Sequence, residues 1–212
     1  MTSAAVLVPV KDFRAAKRRL AARLAPHERG ELARRMALRV LAAAAPLPAF
    51  VVCDDPTVAE WADLIDATVL WGPGLGLNGA VRSGIDELAT LGFERVIVCH
   101  SDLPLATELH RFTGKDNEVV IVPDRHGRGT NVMSLPTMTA FTVAYGHGSF
   151  KRHCAEANAR NLTLHVHHDD RLGWDVDTPA DLDHVDLKEF LHGCQRTRPT
   201  KRDRFSRRVD QS

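Results

Sequence analysis

Short apolar runs alternate along this chain with stretches whose apolar residues recur every three or four positions. The runs Ala5–Val10, Phe50–Cys53, Val96–Cys99 and Val119–Val122 hold almost no polar residue and predict strands buried on both faces. Between them, Leu32, Met36 and Val40 share one helical face while Arg34, Arg35 and Arg39 lie off it. Val81, Ile85 and Leu88 repeat that spacing, and Gly92 is placed to end their helix. Leu162–His168 alternates apolar and polar residues, as a half-covered or edge strand does. Thr178-Pro179-Ala180-Asp181 predicts the start of a last helix, with a Thr cap, Pro at the first position and an acid in the first turn. Strand and helix in alternation predict a mostly parallel sheet covered on both faces, with no internal repeat. Ligands of such sheets sit beyond the carboxyl ends of the strands, so the loops after the strands are where chemistry is expected.

Length and composition narrow this picture. With 212 residues and 44% apolar content the chain can fill one domain core, expected over residues 1–194. Gln195–Ser212 has two apolar residues in eighteen and seven basic residues against two acidic ones, which predicts a basic, disordered tail. A formal net charge of +1 makes no case for nucleic acid as a partner. The longest apolar stretch, Val40–Cys53, is interrupted by Pro46 and Pro48, which argues against a membrane span, and Ala4–Val10 is too short for a signal segment. Cys53, Cys99, Cys154 and Cys194 form no CxxC pair, so no zinc knuckle or redox motif is indicated. A cytoplasmic protein is the expectation.

Five loops carry candidate chemistry. After the first strand, where a dinucleotide fold would place GxGxxG, stand Lys11, Lys17 and Arg19. These cations could hold a triphosphate; they equally suit a solvated basic helix face. Asp102, just past the run Arg95–Cys99, could hold magnesium at the mouth of the sheet, or cap a turn before Pro104. Asp175 and Asp177, two apart in an extended segment, project to one face and repel unless a cation lies between them. With Asp102 they make three oxygen donors for one or two Mg²⁺ ions; the alternative gives Asp177 to helix capping and Asp175 to the surface. Pro123–Asn131 reads as a loop whose amides could nest an anion, or as a plain hairpin turn. Gly146-His147-Gly148 leads into Ser149, a cap candidate whose hydroxyl and neighbouring amides could take a carboxylate or phosphate. Gly74–Asn78 begins another helix in the same manner, and Asn78 is a candidate to meet a nucleotide.

Taken in order, VPVK (Val8–Lys11), AKRRL (Ala16–Leu20), GLN (Gly76–Asn78), DLPL (Asp102–Leu105), PDRHGRGTN (Pro123–Asn131), GSF with His153 (Gly148–Phe150) and DVDTPADL (Asp175–Leu182) resemble the 2-phospho-L-lactate guanylyltransferase family, which includes the bacterial phosphoenolpyruvate guanylyltransferases. The resemblance runs from about Val6 to about Val185. It implies a single-domain α/β nucleotidyltransferase fold, glycosyltransferase-A-like and Rossmann-like, with a mostly parallel central sheet. It implies two Mg²⁺ at Asp102, Asp175 and Asp177, and a phosphorylated acid at Thr130, Gly146 and Ser149. Lys11, Lys17 and Arg19 then become the catalytic and triphosphate-holding cations. The implied reaction joins GMP from GTP to a small phosphorylated carboxylic acid on the way to the deazaflavin coenzyme F-420, with hand-over of an unstable product to the next enzyme. His100-Ser101 stands where a small residue and Ala are usual, and Tyr145 and His147 where Phe and Pro are common. Phosphoenolpyruvate is the expected acid, beside 2-phospho-L-lactate and 3-phospho-D-glycerate. The rivals are a nucleotidyltransferase for a molybdopterin or sugar phosphate, and a non-catalytic nucleotide-binding protein.

Overall fold

The computed structural model describes residues 3–184 together with Leu187 and Phe190; the predicted tail at 195–212 lies outside the described residues. Seven strands form one sheet: β1 (Ala4–Pro9), β2 (Ala49–Cys53), β3 (Thr68–Trp71), β4 (Arg95–Cys99), β5 (Glu118–Pro123), β6 (Thr130–Pro136) and β7 (Thr163–Val166). Their order is β3-β2-β1-β4-β6-β5-β7. The first four strands are mutually parallel, as is the β5–β7 pair, while β6 runs antiparallel to both of its neighbours. That reversal follows from the short loop between β5 and β6, since a hairpin connection can only return the chain antiparallel.

Four helices cover the sheet: α1 (Pro26–Ala43), α2 (Pro56–Asp63), α3 (Gly76–Thr90) and α4 (Ser149–Ala159). Alternation along β1 divides the core. Val6 and Val8 face a cluster with Val40 of α1 and Val58 of α2, whereas Ala5 and Leu7 face one with Val81, Ile85 and Leu88 of α3. At Gly84 a Cβ would stand 2.8 Å from Leu7 Cδ2, so only glycine lets α3 lie this close to β1. Gly92, at φ +89°, follows the end of α3 in the position expected of it. The edge strand expected within Leu162–His168 is β7. The last helix expected at Thr178 is only a 3-10 turn, Pro179–Asp183. Its acid, Asp181, is 3% exposed and does more than favour a helix start. It accepts the Asp177 and Thr178 amides at 2.8 and 2.6 Å and pairs with Arg125.

Candidate functional site

Two adjoining cavities of about 450 Å³ each open beyond the carboxyl ends of β1, β2 and β4. Both are lined by Lys11, Lys17 and Leu77. One extends to His100, Asp102 and Asp177, the other to Cys53, Asp54 and Gly76. The segment after β1 is what places the cations. Asp12 accepts the Arg14 amide at 2.8 Å and opens a 3-10 turn, Phe13–Ala15, while Leu20 is buried in a second turn, Arg18–Ala22. Between the turns Lys17 takes a left-handed backbone, φ 52°, which is unfavourable for a side chain of its kind. Its ammonium reaches Asp102 Oδ2 at 2.7 Å and Asp177 Oδ1 at 3.0 Å, and these charge-assisted bonds offset the backbone cost. Lys11 is exposed in the cleft, and Arg19 is exposed with a guanidinium nitrogen 3.8 Å from Asp177.

The carboxylates meet because two loops are tied together. The Val176 amide donates to the Asp102 carbonyl at 3.3 Å, and the Val176 side chain is buried against Leu20, Leu32 and Met36. With Val176 turned into the core, Asp175 and Asp177 lie on the other face of the segment; Asp177 lines the cleft, while Asp175 lies against Arg125. Burial works to raise the Asp102 pKa, but Lys17 beside it holds the carboxyl below its ordinary range. Burial likewise disfavours the Lys17 charge, and Asp102 and Asp177 more than reverse this, so the ammonium titrates above its usual value. Asp175 differs. Burial first, then the charges of Asp102 and Asp177, push it up to about 6, although Arg125 lies 3.4 Å away. One oxygen of Asp102, Oδ1, is buried with no hydrogen-bond partner. Among the described residues no three His, Cys, Asp or Glu side chains are arranged to hold a metal by themselves. The oxygen donors, the orphaned Oδ1 and the ammonium held between two acids fit a hard cation that takes its other ligands from substrate phosphates.

Of the expected acid-binding residues, Thr130 and Ser149 lie in a second, drier cluster, and Gly146 is exposed beside it. Thr130 and Ser149 are buried, and Gly146 has φ +114°, a conformation that excludes other residues. Ser149 is the first residue of α4 rather than its cap; Gly148 holds the cap position at φ 75°. His153 is fully buried between Thr130 and the Ala144 amide. That amide can only donate, at 2.9 Å, so Nε2 must be the unprotonated nitrogen. Nδ1–H therefore donates to Thr130 Oγ1, also at 2.9 Å, which leaves the threonine hydroxyl proton free for another acceptor. Burial pushes the His153 pKa down to about 4, so the neutral tautomer holds at physiological pH. Arg152 donates to the Ala144 and His147 carbonyls and braces the 144–148 loop.

Two candidates already have partners within the protein. Asn78 spends its side chain on the Tyr145 backbone, accepting the amide at 2.6 Å and donating to the carbonyl at 3.4 Å. These bonds tie the start of α3 to the 144–148 loop. The amides of the turn between β5 and β6 are already occupied: Asp124 accepts from His126, Arg128 and Gly129 at 2.7–2.9 Å. The anion in that nest is the protein's own carboxylate, so a hairpin turn is the outcome. Sequence reasoning missed Arg125, which joins Asp175 to Asp181 and lies 4.1 Å over the Trp174 ring. Its place inside PDRHGRGTN was its only signal. His100 and Tyr145 were noticed only as departures from a pattern.

This strand order, with a cationic cleft and carboxylates at the strand ends, defines an α/β nucleotidyltransferase fold. The fold is shared with a solved nucleotidyl transferase from Methanothermobacter thermautotrophicus, at a TM-score of 0.65 and 13% identity over 91% of this chain and all of that one. The chain belongs to the family described as guanylyl transferase CofC like, whose profile matches residues 4–207. It is 40% identical to phosphoenolpyruvate guanylyltransferase of Sphaerobacter thermophilus, covering 87% of this chain and 93% of that protein. It is 30% identical to 2-phospho-L-lactate guanylyltransferase of Methanocaldococcus fervens, covering 89% and 85%. The family and fold expected from the motifs are thus both found. No helix among the described residues is long and apolar enough to cross a membrane.

Proposed function

We propose that this protein transfers GMP from GTP to a small phosphorylated carboxylic acid, releasing pyrophosphate, as a step toward coenzyme F-420. The observation that carries the reading is the Lys17–Asp102–Asp177 cluster in one strand-end cavity, whose Lys17 also lines the adjoining one. Phosphoenolpyruvate is the proposed acid, supported by the relative at 40% identity. An oxygen of the acid's phosphate attacks the α-phosphorus of GTP, and the bond from that phosphorus to the bridging oxygen breaks, so pyrophosphate leaves with the electron pair. The attacking group is already ionised near pH 7, so no side chain is required as a base. The exposed Lys11 and Arg19 can draw the β- and γ-phosphates into the cleft, and Lys17 can follow pyrophosphate once another cation holds the acids. Thr130, Ser149 and the backbone at Gly146 fix the acid, and alignment with charge neutralisation lowers the barrier. Asp102, Asp175 and Asp177 would hold Mg²⁺, which when bound offsets the charge gathered by two phosphorylated substrates.

The test supplies GTP and Mg²⁺ with phosphoenolpyruvate, 2-phospho-L-lactate, 3-phospho-D-glycerate or a sugar phosphate in turn. Pyrophosphate release is followed, and the product is weighed by mass spectrometry. Acid-dependent release with a product carrying GMP is the expected result. Release with the sugar phosphate alone, or with none of them, overturns the reading.

A further inference from the structure

We propose that His100 and Tyr145 form the wall of the acceptor site that reads the acid's carboxylate; this deepens the guanylyl-transfer reading and rests on it. The two rings lie against each other with centroids 4.9 Å apart. His100 lines the cavity that holds Lys17 and Asp102, and Tyr145 stands immediately before Gly146. The pair therefore links the cavity at Lys17 and Asp102, through His153, to the buried Thr130 hydroxyl. The Tyr145 ring also meets His153 edge-on at 4.9 Å, and His153 donates to Thr130.

The polar atoms of this wall lack partners. His100 Nε2 and the Tyr145 hydroxyl are both buried with no hydrogen-bond partner, and the Thr130 hydroxyl keeps an uncommitted proton for the reason given above. A buried, unpaired donor carries a desolvation penalty that folding tolerates where something else completes the bond. The two hydroxyls can donate, and the His100 ring offers a third donor in its Nε2–H tautomer, so these groups along one contiguous chain of contacts suit an acceptor-rich ligand. The same loop is held rigidly by Asn78 and Arg152, so the unpaired state does not come from a slack segment.

Charge decides which end of the acid goes there. A phosphate dianion is best met by Lys11, Lys17 and a divalent cation. A planar monoanion suits neutral donors in a dry cluster, where a second full charge would cost more to desolvate. Seating the carboxylate against His100 and Tyr145 leaves the phosphate toward Asp102, where it must stand to attack.

Tyr145→Phe and His100→Asn test this. The Michaelis constant is measured separately for phosphoenolpyruvate, for 2-phospho-L-lactate and for GTP. Ethyl phosphate, which has the phosphate without the carboxylate, is measured as a competitor of the acid, and melting temperature is read without ligand. Loss of one hydrogen bond to a charged group should raise the acid's constant about ten- to a hundredfold while leaving that of GTP in place. The inhibition constant of ethyl phosphate should not move. Ligand-free Tyr145→Phe should melt no lower than the parent, since it removes an unsatisfied hydroxyl. Unchanged acid constants, equal rises for acid and GTP, or a fall in melting temperature with both constants intact would overturn the assignment. A parent protein that turns over neither acid overturns the guanylyl-transfer reading and this one with it. An active parent with indifferent variants overturns this one alone.

Discussion

Asp175→Asn is expected to stabilise the ligand-free protein at neutral pH while weakening its response to magnesium. The Asp175 carboxyl titrates near 6, raised by burial and by Asp102 and Asp177. A folded pKa above the unfolded value means that the folded state holds the proton more tightly. Ionising Asp175 therefore costs stability as pH rises from the unfolded value of about 3.9 through the folded one. About two units at ~1.4 kcal/mol each set a ceiling of about 3 kcal/mol above pH 6. The side chain keeps 20% exposure, so screening by water and salt brings the expected effect to about 1–2 kcal/mol. For a domain of this size that is about 3–6 °C in melting temperature. The assay is thermal unfolding of both proteins from pH 4 to pH 8, without and with saturating Mg²⁺ and GTP. Groups shared by the two proteins cancel in the difference. The gap should be near zero at pH 4, open between pH 4 and 6, and stay constant above about 7. Mg²⁺ with GTP should raise the parent more than the variant and narrow the gap. A variant less stable than the parent at pH 7.5, or a gap independent of pH, refutes the reasoning. It would mean that the Arg125 pairing outweighs the repulsion among the three acids.

Lys17→Met should lower the melting temperature by about 6–10 °C in the absence of metal, since it leaves Asp102 without its cation at a cost of about 3 kcal/mol. Added Mg²⁺ should restore much of the loss, and an unaltered transition by calorimetry would show that the ion pair is not structural. Asn78→Ala should raise the Michaelis constant for the acid severalfold and spare that for GTP, because the Asn78 side chain holds the Tyr145 backbone. A rise for GTP alone would return Asn78 to the nucleotide, where the sequence reading placed it.

Strands with apolar residues on both faces declare themselves in a sequence, and those whose identity depends on partners do not. Ala5–Val10 and Val96–Cys99 were legible within a residue or so because both faces of these central strands are covered. Thr68–Trp71 was not, because it is an edge strand with two of its four residues exposed. Thr130–Pro136 was hidden by its own motif. It is buried almost throughout, yet its first residues read as the end of a ligand loop, and only pairing with β4 and β5 makes them strand.

In the candidate site, residue type and order pointed to loops that the fold brings together, but not to the partners each side chain finds there. Lys17 was legible as a cation after the first strand; that it bridges Asp102 and Asp177 depends on a left-handed backbone and on contacts 85 and 160 residues away. Asp124 shows the same limit from the other side. A glycine-rich turn after a strand is chemically an anion nest, and sequence alone does not say that an aspartate at the head of the turn fills it. Composition names the groups able to bind a ligand, while the fold decides which have already found partners. The groups left unpaired are therefore the informative ones. Asp102 Oδ1, His100 Nε2 and the Tyr145 hydroxyl are all buried without a partner. Burial without a bond is unfavourable for a polar atom, so three such atoms around one cleft are better understood as half of an interaction than as three separate faults of packing. One is an acceptor, beside a cluster of acids that a cation would complete; the other two belong to rings in contact with each other, between that cluster and the His153–Thr130 pair. The proposed division of labour, a cation at one end and an anion at the other, is what a cleft needs to hold a phosphorylated acid in line with a triphosphate.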